Sequence, residues 1–362
     1  FRQHHSKKSA RRWRMAFSIA VVGTGYWGRN HLRTLAALQT EGLLDRLIVC
    51  DVDEVRAREM AEEFGCDWHT DALALKERFN INAATIATPT PQHAPIAIAL
   101  MQQGVDVLVE KPLAMNEVEA EEVVAAAATN ERLLMVGHLF RHHTSIREAC
   151  KMISRGELGP ILHIESDRLS VRAPRSDTGV IAALGIHVMD ICCHLLGDIP
   201  PTSVTALALP SDEEGIEDHA VIHLRFPKGA GGNLRGVPCV LTVSWRSRIR
   251  GKVRDLRIIG RDASLHIDYL DHGGLWIHRH PGNAHGQQWG GFDAAPRDRV
   301  ELPLGEPSLT AELRRFIHAS KGFTDEPLLT PGAVGVAGVR LVEAALASAA
   351  SGSSVAFSQQ AD

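Results

Sequence analysis

At 362 residues, with 44% hydrophobic and 23% charged side chains, the chain is too long for one hydrophobic core and suits two domains of an ordinary globular protein. A formal net charge of −4 supplies no net basic face for nucleic acid, and the apolar stretches read as broken before a membrane span is complete. Six cysteines, Cys50, Cys66, Cys150, Cys192, Cys193 and Cys239, form no C-x-x-C pair, which fits buried thiols of a reducing compartment and a cytoplasmic location.

Residues 1–15 crowd Lys7, Lys8, Arg11, Arg12 and Arg14 together without the apolar stretch of a secretory signal, and read as a disordered basic tail or an expression remnant. Ala16 to Val22 is a short apolar strand. Gly23-Thr24-Gly25-Tyr26-Trp27-Gly28 follows, then a helical pattern from Arg29 to Leu38. In that strand–turn–helix context, Gly23 permits the tight turn, Gly25 lets the backbone reach a pyrophosphate, and Gly28 lets the helix pack on the strand. The next strand, Leu47 to Cys50, ends at Asp51. A carboxylate there can hold both ribose hydroxyls and repels a 2′-phosphate, which favours NAD over NADP. Arg56 and Arg58 soften that preference, and a helix cap is the competing role for Asp51. Ala83 to Ala87 runs into Thr88-Pro89-Thr90-Pro91-Gln92-His93, and helix Ala94 to Gln103 stops at Gly104. Val105 to Val109 is a strand closed by Glu110-Lys111-Pro112, before helix Asn116 to Ala128 and strand Leu133 to Val136. The β-α alternation means a doubly wound parallel Rossmann sheet, with ligands at the carboxyl ends of its strands, where Thr88, Lys111 and Gly137 fall.

Beyond residue 138 the pattern changes. Ile161 to Leu169, Ser203 to Leu209, His219 to Phe226, Cys239 to Trp245, Leu256 to Gly260, Ser264 to Tyr269 and Leu275 to His278 read as strands of a large, open, mostly antiparallel sheet. Gly229 to Gly236 reads as a hairpin turn, and Pro281 to Pro296 as a loop. Helices Leu309 to Lys321 and Ala333 to Ala350 are expected to pack back on the first domain. The expected organisation is α/β: a dinucleotide-binding domain over 16–138, an α+β substrate and oligomerisation domain over 139–350, and a frayed tail over 351–362. No helices remain for the sheet's second face, so a second copy of the chain is the expected cover, in a homodimer or homotetramer.

The glycine turn, the Thr88-Pro89 … His93 loop and Glu110-Lys111-Pro112 together resemble the glucose-fructose oxidoreductase / inositol dehydrogenase family of two-domain sugar dehydrogenases. The resemblance continues through Gly137-His138, Arg141, Gly156-Glu157-Leu158-Gly159, Asp177-Thr178-Gly179-Val180-Ile181, Ile186-His187, Asp190 and Leu195-Leu196-Gly197. With Tyr26-Trp27-Gly28-Arg29-Asn30-His31, this run is similar to the branch that oxidises the 3-hydroxyl of UDP-N-acetylglucosamine or its uronic acid. The resemblance implies that the glycine turn, Asp51, Thr88, Pro89, His93, Glu110, Lys111 and Pro112 line the NAD site, with a cis peptide before Pro112. The family usually has an aspartate four residues before the catalytic histidine, where this chain has Ala183.

Oxidising a secondary alcohol needs a base for the hydroxyl proton while hydride leaves for the nicotinamide. His187 is assigned as the base, with Lys111 orienting and polarising the hydroxyl or relaying its proton. Arg141, Arg168 and Arg172 are candidates to grip a nucleotide-sugar diphosphate, and Asp190, one turn beyond His187 on the same helical face, is a further candidate to bind substrate. One helix face carrying His187, Asp190 and His194 offers too few ligands for a metal site. Two other readings stay open: a dehydrogenase of a free cyclitol or hexose, and a non-catalytic NAD-binding regulator.

Overall fold

Alternation of apolar residues on both sides of short strands builds the first of two units. The computed structural model describes residues 16–173, 178–210, 216–247, 251–279, 297–323 and 327–357. The expected basic tail, Asp177 and the 281–296 loop lie outside the described residues. The first unit takes residues 16–139 and 309–339, the second 140–308 and 340–357.

In the first unit, β1 (Ser18–Val22), β2 (Arg46–Cys50), β3 (Asp67–His69), β4 (Ala83–Ile86), β5 (Asp106–Val109) and β6 (Leu134–Val136) form one parallel sheet in the order β3-β2-β1-β4-β5-β6. Period two sends Ala20, Val22, Ile48 and Val107 to one face and Ile19, Val21, Leu47 and Leu108 to the other, and each face has its own core. Helix α1 (Tyr26–Thr40) buries Leu32, Leu35 and Leu38 against one face. The other is covered by α4 (His93–Gln102) through Ala97, Leu100 and Met101, and by α5 (Glu117–Thr129) through Ala120 and Val123. Helices α2 (Glu54–Phe64) and α3 (Leu75–Phe79) complete the crossovers. The later helix α8 (Ser308–Ser320) adds Leu313, Phe316 and Ile317 to the α1 side.

The second unit holds α6 (Thr144–Ser154), α7 (Ile186–Leu195) and a nine-stranded sheet. Its strands are β7 (Ile161–Leu169), β8 (Ser203–Pro210), β9 (Glu217–Arg225), β10 (Pro238–Ser244), β11 (Val253–Gly260), β12 (Ala263–Asp268), β13 (Gly274–Arg279), β14 (Arg297–Glu301) and, past α9 (Gly332–Ser351), β15 (Val355–Ala356). The order is β14-β13-β12-β11-β7-β10-β9-β8-β15, antiparallel except for the β7–β10 pair. One face, with Ile164, Leu224, Leu241, Leu256 and Leu265, forms a core with α6, α7 and the second half of α9. On the opposite face Arg257 bridges Glu165 and Asp167, while Leu207, Leu209 and Val240 stand exposed.

Two expectations need correction. Residues 355–356, expected to fray, pair with β8 through Val355↔Val204, because an edge strand leaves backbone groups open to any passing segment. Helix α9 is long and apolar enough, by length and composition, to cross a membrane. Its Val339 lies in a core of the first unit, and its Leu341, Val342 and Ala345 lie in that of the second.

Candidate active site

The turn after β1 is built for close approach. Gly23 has φ +84°, and a side chain there would sit 2.8 Å from the Thr88 nitrogen. A side chain on Gly28 would overlap the Gly23 carbonyl oxygen, so the helix packs on the turn only without one. Gly25 has no heavy atom within 4 Å of where a Cβ would stand, and it caps α1 without a side-chain hydrogen bond. The first-turn N–H groups of α1 are thus left for an anion. Tyr26 and Trp27 open the helix, edge to face at 5.7 Å.

Asp51 ends β2 almost fully buried. Its Oδ2 accepts from the Thr24 N–H at 2.8 Å and the Thr24 hydroxyl at 2.7 Å, and its Oδ1 from the Asp53 N–H at 3.0 Å. Burial works against the charge, but the Thr24 hydroxyl, these N–H groups and Arg56 outweigh it and hold the carboxyl below its ordinary range. The helix cap is Asp53, which accepts from the Arg56 N–H. Asp51 is therefore a fixed carboxylate beside the glycine turn and not a cap.

At the ends of β4 and β5, the buried His93 ring lies between the Pro112 carbonyl (Nδ1, 2.7 Å) and the Thr88 carbonyl (Nε2, 2.8 Å). Burial lowers its pKa, and a neutral ring donates to only one of the two carbonyls at a time. His93 was expected to line the cofactor. In the structure both its ring nitrogens are turned to backbone, and it ties the Thr88 loop to Pro112. Pro89 opens the short helical turn Thr90–Gln92 that leads into α4. The Thr88 hydroxyl oxygen is buried without a partner, as a group awaiting a ligand would be.

Glu110 is also buried. Its Oε1 accepts from His31 Nε2 at 3.0 Å and its Oε2 from the Lys111 N–H at 3.2 Å. Burial opposes its ionisation, yet the His31 bond and the neighbouring positive groups hold it below the usual range. His31 was missed as a functional residue, although its spacing from Leu32 and Leu35 already placed it on the inner side of α1. The Lys111–Pro112 bond is cis. The uncapped helix, Asp51 and the orphaned Thr88 hydroxyl together fit a dinucleotide.

In the second unit, His187 is in the first turn of α7, directly after a π-helical turn over Ile181–Gly185 that contains Ala183. Such turns recur at functional sites. The His187 ring meets the edge of Phe140 at 5.1 Å.

Arg141 and Asp190, expected to bind substrate, hold each other. Arg141 Nε donates to Asp190 at 2.9 Å, and its Nη2 lies 2.7 Å from both Asp190 and Asp198. The guanidinium is clamped by two carboxylates through Nε and Nη2, while Nη1 lies 3.4 Å from His194 Nδ1. Arg172 stacks on Trp245 at 5.4 Å. Arg168 is buried against Phe140 and Tyr269.

The clamp extends to His194, 3.8 Å from Asp198. Burial works against the imidazolium, but Asp198 and, after it, Cys150 outweigh it and raise the pKa from 6.5 to about 9. A raised folded-state pKa stabilises fully below the unfolded value and loses that stabilisation as pH rises through the folded one. Thermal stability should therefore decline between about pH 6.5 and about pH 9. His194→Asn should flatten that decline, and an unchanged slope in the variant would assign it to another group.

Residues 17–138 match the model of an oxidoreductase family with an NAD-binding Rossmann fold, and residues 146–266 match the GFO/IDH/MocA C-terminal domain. UDP-N-acetylglucosamine 3-dehydrogenase of Acidithiobacillus ferrooxidans is 29% identical over 328 residues, 90% of this chain and 94% of that protein. A solved structure of that enzyme superposes with a TM-score of 0.73 at 26% identity, over 93% of this chain and 97% of the other. Inositol 2-dehydrogenase 2 of Saccharopolyspora erythraea is 27% identical, over 94% of this chain and 95% of its own. The chain belongs to the GFO/IDH/MocA family and is an NAD-dependent sugar oxidoreductase.

Proposed function

We propose that the chain oxidises the 3-hydroxyl of UDP-N-acetylglucosamine or of its uronic acid. The observation that carries this reading is the near end-to-end match to the A. ferrooxidans enzyme. Bound NAD supplies the hydride acceptor. Gly23 to Gly28 and the first turn of α1 hold the pyrophosphate, Asp51 takes the adenosine ribose hydroxyls, and the Thr88 hydroxyl gains its missing partner. His187 accepts the proton of the sugar hydroxyl as its carbon loses hydride, and Lys111 orients and polarises that hydroxyl. His31, Glu110 and His93 fix the backbone on either side of Lys111.

The match to an inositol dehydrogenase over a similar length favours a second reading, a free cyclitol as substrate. NADH formation with UDP-N-acetylglucosamine, its uronic acid and myo-inositol separates the two. Turnover confined to myo-inositol would defeat the nucleotide-sugar reading. We also propose that a second copy covers the open sheet face at Leu207, Leu209 and Val240. Light scattering should give a dimer or tetramer, and a monomer at micromolar concentration would rule that out.

A further inference from the structure

Arg168 and Arg254 stand directly opposite each other on the antiparallel strands β7 and β11. Both side chains leave the sheet on its buried face, Arg168 at 6% and Arg254 at 9% exposure. Arg168 Nη1 reaches the Tyr269 hydroxyl at 3.4 Å, its guanidinium lies 4.7 Å from the Phe140 ring centre, and its Nε has no hydrogen-bond partner. Arg254 Nη1 donates to the Leu169 and Val253 carbonyls. Among the described residues neither is paired with a carboxylate.

Like charges opposite one another on neighbouring strands repel, and a buried charge without a counter-charge is strongly unfavourable. Burial and the Arg168 charge, only partly offset by Tyr269 and Asp268, push the Arg254 pKa down to about 10, which still leaves it charged at neutral pH. The contrast with Arg141 is direct: equally buried, it is neutralised by Asp190 and Asp198. The Arg168–Arg254 pair has every feature of such a site except the anion.

We propose that Arg168, backed by Arg254, is the receptor for an anionic oxygen group carried by the substrate, a phosphate or a carboxylate. A planar guanidinium pinned against an aromatic ring offers two parallel N–H bonds to either group. Phe140 touches both the Arg168 guanidinium and the His187 ring, so the anion is held one aromatic ring away from the proposed base. The assignment deepens the nucleotide-sugar reading and rests on it for the identity of the substrate, but the anion site can be tested separately.

The test uses Arg168→Met, which keeps the stem between the rings, and Arg168→Lys, which keeps the charge. In Arg168→Met the KM for the anionic substrate should rise about 10- to 100-fold, as for a lost charged hydrogen bond, with a smaller change in kcat. The KM for neutral myo-inositol should rise less, and Arg168→Lys should recover part of the loss. UDP-N-acetylglucosamine carries only the diphosphate and free N-acetylglucosaminuronic acid only the carboxylate, so the substrate whose KM moves identifies the anion. Without ligand, the Tm of Arg168→Met should equal or exceed that of the parent, because an uncompensated charge has been removed. Inorganic phosphate or acetate should raise the parent's Tm and leave that of Arg168→Met unmoved. If no nucleotide sugar is turned over, the substrate reading fails while this thermal shift still decides the anion site. A lowered Tm with unchanged KM, no anion-induced shift in the parent, or failure of both variants to fold would each overturn the proposal.

Discussion

Lys111→Ala and His187→Ala are each expected to lower kcat by about 10²-fold or more, the usual worth of positioned acid–base groups. That loss corresponds to about 2.7 kcal/mol of transition-state stabilisation. NAD affinity should change little in either variant, because the pyrophosphate and ribose contacts we propose, at the glycine turn and Asp51, are left in place. If the two groups serve one hydroxyl proton, the double variant should be scarcely worse than the worse single one, since groups acting as a unit are not additive. Ala183 lies one turn before His187, within the π-helical turn. Near-parental turnover in either alanine variant would show that the role had been given to the wrong residue.

Much of this architecture was legible because it rests on periodicity. The strands from β7 to β13 alternate apolar and polar residues, and the β-α series of the first unit carries glycine and proline punctuation at its joints. β14 was missed because its sequence, Arg297-Asp298-Arg299-Val300-Glu301, reads as a solvated charge run. In place, Arg297 and Arg299 lie over Trp276 on β13, and Arg299 pairs with Asp271 and Glu301. Partners distant in sequence are what a charge pattern cannot show. The same gap hides the partners of Arg141, whose carboxylates are supplied from 49 residues away and beyond, and those of His93, which are backbone carbonyls. Arg254 illustrates the opposite failure. It lies before the strand expected over Leu256 to Gly260, yet on β11 it alternates with Leu256 and Ile258 and so falls on the buried side, where an arginine demands an explanation.

NAD is expected to bind at least about tenfold more tightly than NADP, a difference of about 1.4 kcal/mol. The reason is the placement of Asp51. A 2′-phosphate at the ribose would meet a carboxylate that Thr24 and Asp53 hold ionised and in place, and like charges near a protein surface repel by up to a few kcal/mol at contact distance. Arg58 pairs with Glu54, and among the described residues Arg56 is the cation beside Asp51. In the structure it is committed, with Nη1 at 3.6 Å from Asp51 and Nη2 at 3.2 Å from Asp53. Asp51→Ala should therefore act twice: it removes the ribose contact, which weakens NAD, and it releases Arg56 toward a phosphate, which spares NADP. The gap between the cofactors should narrow mainly through the loss of NAD affinity. Adding Arg56→Ala to that variant should then weaken NADP more than NAD. Calorimetric titration of both cofactors against the three proteins measures each step. Equal affinities in the parent would remove Asp51 as the selector, and an unchanged NADP affinity in the double variant would remove Arg56 as its counterweight.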